Sequence, residues 1–331
     1  MTDVFIIGGS NSLMNKGWTA HVNEAALGAI SNMSVGAATS LMGIFRLLRE
    51  EVPDGSTVVW EYALNESNHF RSGQSLESLL YHLDWFMEIA RRKAIRVLPL
   101  LLWTRAEQVS GKRNRYRQAL EQRLEAHGLP IIDAFQPVQD LAAQHGVEVV
   151  TYFDGNMHYS CETPFPKYLA GLVLAGIEAA VVPSALRPLQ DLELALCTPE
   201  GEGRDFSNSV FRATVFTSSC PLRVNASGKL LASYVIAAMD AGAVRIEADG
   251  LHVGTYSLQR PTGGNARMLL LKHLVHWQAA NEIAQVQNTL AISGDAPDDA
   301  PIVQNTFDWR GQSDSLERAD AYVCALIERA V

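Results

Sequence analysis

The stretch Val4-Phe5-Ile6-Ile7-Gly8-Gly9-Ser10-Asn11-Ser12 decides the fold prediction. Its first four residues are apolar, which is typical of a strand that is buried on both faces. Two glycines then allow a sharp turn before the serine. Open α/β sheets bind ligands beyond the carboxyl ends of their strands, so this stretch predicts that Ser10 lies at a site-bearing edge.

The residues up to Val182 alternate short apolar runs with helical periodicity. Strands that alternate with helices of about 10–15 residues predict βαβ units, and therefore a parallel sheet covered on both faces. The predicted strands are Val4–Ile7, Thr57–Tyr62, Arg96–Trp103, Pro130–Ile132 and Val147–Thr151. The predicted helices are Ala38–Glu50, Leu76–Arg92, Asn114–His127, Val138–His145 and Pro166–Val181.

Helical periodicity largely disappears beyond the stretch from Pro183 to Pro188. We therefore predict two domains, an α/β domain over residues 1–185 and a mainly β domain over residues 190–331, with a small sandwich as its favoured architecture. Leu269–Trp277 fits either a helix or a strand, and Ser313–Arg329 predicts a closing amphipathic helix capped by Ser313 or Asp314. The predicted strands are Val210–Thr217, Leu222–Val224, Lys229–Ala237, Ala243–Glu247 and Leu251–Leu258.

The composition is that of a globular protein. Of its 331 residues 47% are hydrophobic and 19% are charged, and the net charge is −9. A negative net charge argues against broad nucleic-acid binding and against attraction to an anionic membrane, so we expect neither as a partner. The sequence does not indicate an oligomeric state. The four cysteines are widely spaced and form no zinc motif, so we interpret them as reduced thiols: Cys161, Cys197, Cys220 and Cys324.

The amino terminus enters a strand-like run almost at once. It has no basic segment followed by a long apolar segment, so no signal peptide is predicted and a cytoplasmic location is the default expectation. The longest apolar segments, such as Leu169–Val182, are shorter than the ~20 residues that span a bilayer. We therefore expect no membrane insertion.

Ser10 is a candidate nucleophile, although its local motif alone does not settle the question. A serine hydroxyl needs a base within hydrogen-bond reach before it attacks an acyl group. Two glycines and a serine after a strand also fit a simple turn with a helix cap. A phosphate-binding loop is a third interpretation, but GxGxxG and GxxxxGK[ST] are both missing here.

Three further segments are predicted to converge on Ser10. Gly36 comes just before a predicted helix, where its backbone N–H could face a cleft. Asn65 follows the second predicted strand, and Asp154 and His158 follow the strand-like run before them. Because the carboxyl ends of parallel strands meet at one rim, these segments together predict a composite active site.

On these residues the chain resembles the SGNH, or GDSL-like, hydrolase family, over about residues 3–182. Ser10 matches the family nucleophile, although Gly9 stands where the family has aspartate. Gly36 matches the glycine of the second block and Asn65 the asparagine of the third. The resemblance implies a flavodoxin-like three-layer sandwich. It also implies an oxyanion hole formed by the Ser10 N–H, the Gly36 N–H and the Asn65 amide, where losing one donor typically lowers the rate ~10²–10³-fold.

The other blocks depart from the family pattern. Ala63 and Glu66 vary the flanks of Asn65, and three residues rather than two separate Asp154 from His158. The resemblance implies that His158 is the base and that Asp154 orients it. If Asp154 cannot reach the ring, a backbone carbonyl is the alternative orienting group.

The resemblance implies hydrolysis of a carboxylic ester through an acyl-enzyme on Ser10, with no metal or organic cofactor. Family members with an appended β domain often act on acylated sugars, so a small-molecule or glycan ester is the expected substrate. Two alternatives stay open. One is an O-acyltransferase that acts on a sugar or polysaccharide, and the other is a catalytically silent protein that binds a glycan or a partner. Gly9 and the spacing from Asp154 to His158 favour the silent protein.

Several other polar and aromatic residues have a structural interpretation. Asp133 is interpreted as a cap for the helix that follows it. His273 and His276, with Trp277 beside them, are interpreted as a half-buried surface. Four aromatic residues flank the predicted site and could stack on a sugar, although core packing is the commoner role for such side chains: Trp18, Phe70, Trp103 and Tyr159.

Overall fold

A computed structural model of the chain describes residues 3–217, 221–261, 269–276, 283–294, 300–311 and 320–331. The chain divides into two compact units, Met1–Pro188 and Leu189–Val331. This division lies between the two predicted domains, 1–185 and 190–331.

Unit 1 is a parallel α/β sandwich with the predicted flavodoxin-like architecture. Its five parallel strands lie in the order β2-β1-β3-β4-β5. The strands are β1 Val4–Gly8, β2 Ile30–Asn32, β3 Thr57–Glu61, β4 Arg96–Leu101 and β5 Ile132–Asp133. The helices are α1 Trp18–Ala25, α2 Ser40–Leu48, α3 Ala63–Arg71, α4 Leu76–Arg92, α5 Arg105–Ser110, α6 Arg115–Ala126, α7 Phe135–His145 and α8 Phe165–Gly176.

Helices cover both faces of this sheet, which is why the middle residues of its central strands are apolar. On one face, Ile6 of β1 packs in one core cluster with Trp18 of α1 and Phe165 of α8. Helices α2 and α4 pack against each other on the opposite face, and Phe45 and Phe86 there are fully buried. The sheet thus has a dry interior, and its carboxyl edge is left for polar side chains.

One predicted strand of unit 1 is wrong. Residues Val147–Thr151 do not pair with the sheet, and Val149–Tyr152 forms a short 3-10 helix instead. Val147 and Val150 are 41% and 39% exposed. β-Branched side chains favour a strand only where a neighbouring strand and a packed face are available, and this segment has neither in the described sheet.

The interpretation of Asp133 as a helix cap is confirmed. Its carboxylate accepts a hydrogen bond of 2.8 Å from the backbone N–H of Phe135, the first residue of α7. Such a carboxylate satisfies one of the N–H groups that have no partner within the helix.

A buried carboxylate holds the last residues of unit 1. Asp84 on α4 binds the guanidinium of Arg187, which also lies over the ring of Tyr81, 5.2 Å from its centroid. Nε2 of His127 lies 3.2 Å from the Asp84 carboxylate, and its Nδ1 lies 2.7 Å from the carbonyl oxygen of Ser184. The segment that follows α8 therefore belongs to the packed structure of unit 1.

Unit 2 consists of two antiparallel sheets, and the predicted mainly β domain is confirmed. One sheet has the order β13-β10-β16-β8-β7, with β14 on β10 and β6 on β16, and the other has the order β12-β11-β15-β9. Side chains from both sheets, among them Leu230, Val235, Val244 and Ile292, form one core, as in a β-sandwich. The strands are β6 Leu192–Cys197, β7 Arg204–Ser207, β8 Arg212–Thr217, β9 Leu222–Asn225, β10 Gly228–Ala237, β11 Ala243–Ala248, β12 Leu251–Ser257, β13 Leu270–Val275, β14 Gln285–Val286, β15 Thr289–Ser293 and β16 Asp320–Ala330.

The predicted C-terminal helix Ser313–Arg329 is wrong, because β16 occupies Asp320–Ala330 and pairs with β10, β6 and β8. Its residues 321–328 are at most 3% exposed, as expected for a strand that is covered on both faces. Residues 321–327 are all apolar, and such a run fits a buried helix or a buried strand equally well by periodicity. Here the pairing partners decide for a strand. The predicted cap residues Ser313 and Asp314 lie outside the described residues.

The ambiguous segment Leu269–Trp277 contains strand β13. His273 and His276 are 5% and 7% exposed, so they are buried rather than half-buried as predicted. Trp277 lies outside the described residues.

Three of the cysteines lie in the described part of the chain, and none of these three takes part in a disulfide there: Cys161, Cys197 and Cys324. Cys220 lies outside it. Within the described ranges, the helices are all too short or too polar to cross a membrane.

Candidate active site

Ser10 and His158 contact each other at the carboxyl edge of the parallel sheet. β1 ends at Gly8, and Ser10 begins a 3-10 turn, Ser10–Ser12. Its Oγ lies 2.8 Å from Nε2 of His158, and both residues are half-buried. This is the distance at which an imidazole can take the hydroxyl proton. The structure thus brings together two residues that are 148 positions apart and that the sequence analysis paired.

His158 lies on a tight turn rather than after a strand. Phe153 and Tyr159 form an antiparallel bridge, and the backbone N–H of Asp154 donates a hydrogen bond of 3.0 Å to the carbonyl oxygen of His158. Between them Gly155 has φ +144°, a conformation that favours glycine.

The structure does not support Asp154 as the group that orients His158. Its side chain is exposed, and among the described residues no hydrogen bond or ion pair joins its carboxylate to the His158 ring. The physical reason is the extra residue between the two. It lets Asp154 and His158 pair through their backbones, while the carboxylate faces solvent.

Gly9 and Asn65 approach each other very closely. A Cβ placed on Gly9 would lie 2.2 Å from Nδ2 of Asn65, so even alanine would require the amide to move. Asn65 is 6% exposed, and its Nδ2 donates a hydrogen bond of 2.9 Å to the carbonyl oxygen of Ala38. The absence of a side chain at Gly9 therefore makes room for the amide of Asn65.

The backbone of Gly36 lies beside Ser10. The chain after β2 continues along β1, because Met33 N–H donates to the Ile6 carbonyl at 2.8 Å and Val35 N–H to the Gly8 carbonyl at 3.0 Å. A Cβ placed on Gly36 would lie 4.0 Å from Cβ of Ser10. The structure therefore brings Gly36, Asn65 and Ser10 to one place, as the sequence analysis predicted.

Helix α3 holds the segment that contains Gly36. Beside the Asn65 bond to Ala38, the carboxylate of Glu66 accepts a hydrogen bond of 2.7 Å from the N–H of Ser40, the first residue of α2. Nε2 of His69 lies 3.4 Å from the carbonyl oxygen of Ala37, a non-glycine residue with φ +55°. Three side chains of one helix thus fix the strained turn beside the nucleophile.

A second buried carboxylate, Glu61, lies beneath the nucleophile turn. It is 1% exposed at the end of β3, and its Oε2 accepts hydrogen bonds from the N–H of Gly9 at 3.1 Å and from the hydroxyl of Ser12 at 2.8 Å. Burial raises the pKa of Glu61 to about 7, although these hydrogen bonds oppose the rise. Sequence analysis missed Glu61, and its only signal was a charged residue at the end of the apolar run Thr57-Val58-Val59-Trp60.

Burial also raises the pKa of Glu66 to about 7. Its second carboxylate oxygen accepts a hydrogen bond from the hydroxyl of Tyr116. Glu66, beside Asn65, is therefore a structural link between α3, α2 and α6.

Most of the aromatic residues near the site are part of the core. Trp18, Trp103 and Tyr159 are 3%, 1% and 4% exposed, and Phe70 is half-buried against Tyr116. The first three side chains are therefore not available to stack on a sugar.

The sequence matches no protein-family profile, and no curated protein matches it. The structure matches that of a two-domain esterase active on acetylated mannans, solved with mannopentaose, with a TM-score of 0.59 and 11% identity over 99% of this chain and 90% of that one. A second crystal structure of that kind of esterase gives a TM-score of 0.58. An acetyl xylan esterase matches 53% of this chain and 99% of its own, with a TM-score of 0.44 and 12% identity.

The likeness to the two-domain esterase establishes the fold. The match to the two-domain esterase extends over both units, which agrees with the parallel sheet of unit 1 and the antiparallel sheets of unit 2. The chain therefore has the two-domain fold of that esterase, a parallel α/β domain followed by a mainly β domain.

Proposed function

We propose that the protein is a serine esterase, which hydrolyses a carboxylic ester through an acyl-enzyme formed on Ser10. One observation carries this proposal: Ser10 Oγ lies 2.8 Å from His158 Nε2 at the carboxyl edge of the sheet, beside Gly36 and Asn65. A serine and a base at this distance, with N–H donors nearby, are what acyl transfer requires.

In the acylation step Ser10 Oγ attacks the ester carbonyl carbon while Nε2 of His158 takes the hydroxyl proton. The negative charge that develops on the carbonyl oxygen is stabilised by the Ser10 N–H, the Gly36 N–H and the Asn65 amide. Nδ2 of Asn65 uses one hydrogen on Ala38, and its second hydrogen serves the oxyanion. The tetrahedral intermediate then expels the alcohol, which receives its proton from His158.

In the deacylation step water replaces the alcohol. His158 takes a proton from the water as its oxygen attacks the acyl carbon, and the same donors stabilise the second intermediate. Collapse releases the carboxylic acid and returns the proton to Ser10.

The substrate class that we propose is an acylated carbohydrate, such as an O-acetyl sugar. Support comes from the two-domain esterase of the same fold, which is active on acetylated mannans. A half-buried nucleophile at the rim of a sheet is also accessible to an ester that is attached to a larger molecule.

The test is intact mass after incubation with a fluorophosphonate, for the wild type, Ser10→Ala and His158→Ala. We expect one adduct on the wild type, none on Ser10→Ala and slow formation on His158→Ala. Acetate release from acetylated mannan and from acetylated monosaccharides then defines the substrate. Excess sugar acceptor in the same assay separates hydrolysis from acyl transfer, because only a transferase gives an acylated acceptor.

A folded wild type that forms no adduct between pH 6 and 9 would contradict the enzyme proposal. The exposed carboxylate of Asp154 would then favour the silent binding protein.

A further inference from the structure

Asn11, the residue after the nucleophile, binds the backbone on both sides of His158. Its Nδ2 donates a hydrogen bond of 2.8 Å to the carbonyl oxygen of Met157, and its Oδ1 accepts one of 3.1 Å from the N–H of Tyr159. Asn11 is 4% exposed. A carbonyl only accepts and an N–H only donates, so these two partners fix the orientation of the amide.

This contact matters because the His158 ring receives no help from an acid. Asp154 is exposed, and Nε2 faces Ser10, so in the described residues the position of the ring depends on the backbone that carries it. The two hydrogen bonds of Asn11 fix the peptide groups before and after the Cα of His158. They therefore fix the direction in which its side chain leaves the backbone.

We propose that Asn11 is the positioning residue for His158, which holds the base at hydrogen-bond distance from Ser10 in place of a triad acid. The inference rests on the proposed esterase function. Ser10 and Asn11 are adjacent, so the nucleophile and the residue that positions its base lie on one short turn. Movement of that turn carries both catalytic groups together, and their separation is preserved.

Apart from the bond between the Asp154 N–H and the His158 carbonyl, the turn is also anchored further from the base, at Asn156. The carbonyl oxygen of Asn156 accepts from the N–H of Arg105 at 2.9 Å, and its Oδ1 accepts from the N–H of Ala106 at 3.1 Å. These bonds hold the tip of the turn against α5. They do not fix the peptide groups next to His158, which makes Asn156 a matched control.

The test is a double-mutant cycle on the rate constant for fluorophosphonate labelling of Ser10. Asn11→Ala removes both hydrogen bonds. Asn11→Asp keeps the volume and the acceptor, but it places a carboxylate oxygen against the Met157 carbonyl. We expect each variant to label about 10- to 100-fold more slowly than the wild type, since a misplacement of about 1 Å costs that much in such reactions. In the His158→Ala background the same changes should alter the rate by no more than about twofold, because a residue that acts through His158 has nothing left to position.

Equal losses in both backgrounds would overturn the inference, since Asn11 would then act on the nucleophile turn itself. Labelling of both Asn11 variants at the wild-type rate would overturn it as well. Asn156→Ala should change the rate by less than about threefold, and a loss as large as that of Asn11→Ala would show that any loosening of the turn suffices. Thermal unfolding of each variant confirms that it is folded, and Asn11→Asp carries the test if Asn11→Ala is not.

If the wild type is not labelled, both the proposed function and this inference are contradicted. If the wild type is labelled and the Asn11 variants label at the same rate, only this inference is contradicted.

Discussion

The two units each contain a serine–histidine pair with the same separation, and the pairs differ in nearly everything else. Ser10 Oγ and His158 Nε2 are 2.8 Å apart in unit 1, and so are Ser233 Oγ and His276 Nε2 in unit 2. Ser233 is fully buried on β10, and its hydroxyl also contacts the hydroxyl of Tyr322 on β16 at 2.9 Å. Ser10 is half-buried at a strand end, where a substrate can approach.

The difference shows that the contact alone does not make a nucleophile. Burial lowers the pKa of His276 to about 3, so its ring does not accept a proton near neutral pH. The Ser233 hydroxyl is occupied by two partners within one sheet and satisfies buried polar groups. What distinguishes Ser10 is access, together with a glycine turn and the amide of Asn65 beside it.

The largest expected effect separates the two serines by reactivity. Ser10→Ala should lower fluorophosphonate labelling at least about 10³-fold, because the nucleophile is lost. Ser233→Ala should label like the wild type. Intact mass of both variants is the measurement, and an adduct that persists in Ser10→Ala but disappears in Ser233→Ala would reverse the comparison.

The second prediction concerns how the stability of each unit depends on pH. The groups compared are Glu61, beneath the Ser10 turn, and His276, the partner of Ser233, and their contributions change with pH in opposite directions. Glu61 has a folded pKa of about 7 against an ordinary value of 4.5, so the folded state holds more protons between these values and unit 1 loses stability as pH rises through that range. His276 has a lowered pKa, so unit 2 loses stability as pH falls from about 6.5 towards 3.

Glu61→Gln imitates the protonated carboxyl and should remove the part of this loss that Glu61 contributes, while the part from Glu66 remains. Relative to the wild type, this variant should gain about 3 kcal/mol between pH 4.5 and 8, since each tenfold change in proton affinity is about 1.4 kcal/mol. Urea unfolding at both pH values measures it, with the exposed Glu178→Gln as control. A difference between Glu61→Gln and the wild type that does not change with pH would contradict this prediction.

A smaller effect concerns the free energy of unfolding at a single pH. Ser233→Ala leaves Nε2 of His276 and the Tyr322 hydroxyl without their shared partner in a dry sheet, which should lower the free energy of unfolding by about 1–3 kcal/mol. Ser10→Ala should change it by less than about 0.5 kcal/mol. Chemical denaturation of the two variants compares them, and equal losses would mean that Ser10 is as structural as Ser233.

The smallest expected effect concerns Asp154. Removal of the acid of a complete triad costs about 10⁴-fold in rate, whereas Asp154→Asn should cost less than about threefold because its carboxylate does not contact His158. The labelling rate of Asp154→Asn is the measurement. A loss of 100-fold or more would restore Asp154 as the orienting group.

The sequence predicts much of unit 1 because buried parallel strands and amphipathic helices leave strong local patterns. The helix Leu76–Arg92 is predicted to the residue, and the strands around Ile6 and Val58 are correct. The segments at 147–151 and 313–329 were predicted wrongly because pairing partners, which lie far away in the chain, decide between a strand and its alternatives.

Some residues of the candidate site could likewise be predicted from the sequence, and others could not. Ser10 and Asn65 follow predicted strands, Gly36 precedes a predicted helix, and His158 was found from its spacing to Asp154 although the strand predicted before it is wrong. Asn11 and Glu61 could not be predicted, because their roles depend on contacts 146 and 52 positions away that no local pattern encodes. The sequence can indicate that a polar side chain lies near the end of a helix or strand. It does not indicate which distant group that side chain binds.

The contacts of Asp84 with Arg187 and His127 have a practical consequence for anyone who divides the protein into its two units. A truncated chain that stops after Pro183 would keep every strand and helix of unit 1, but it would leave the Asp84 carboxylate without Arg187 and His127 without the Ser184 carbonyl. Asp84 would keep only His127 at 3.2 Å and Arg123 at 3.5 Å, and the loss of one partner of a buried carboxylate is destabilising. Anyone who exchanges the second unit for another should therefore join the two after Pro188, since residues that look like a linker complete the first unit.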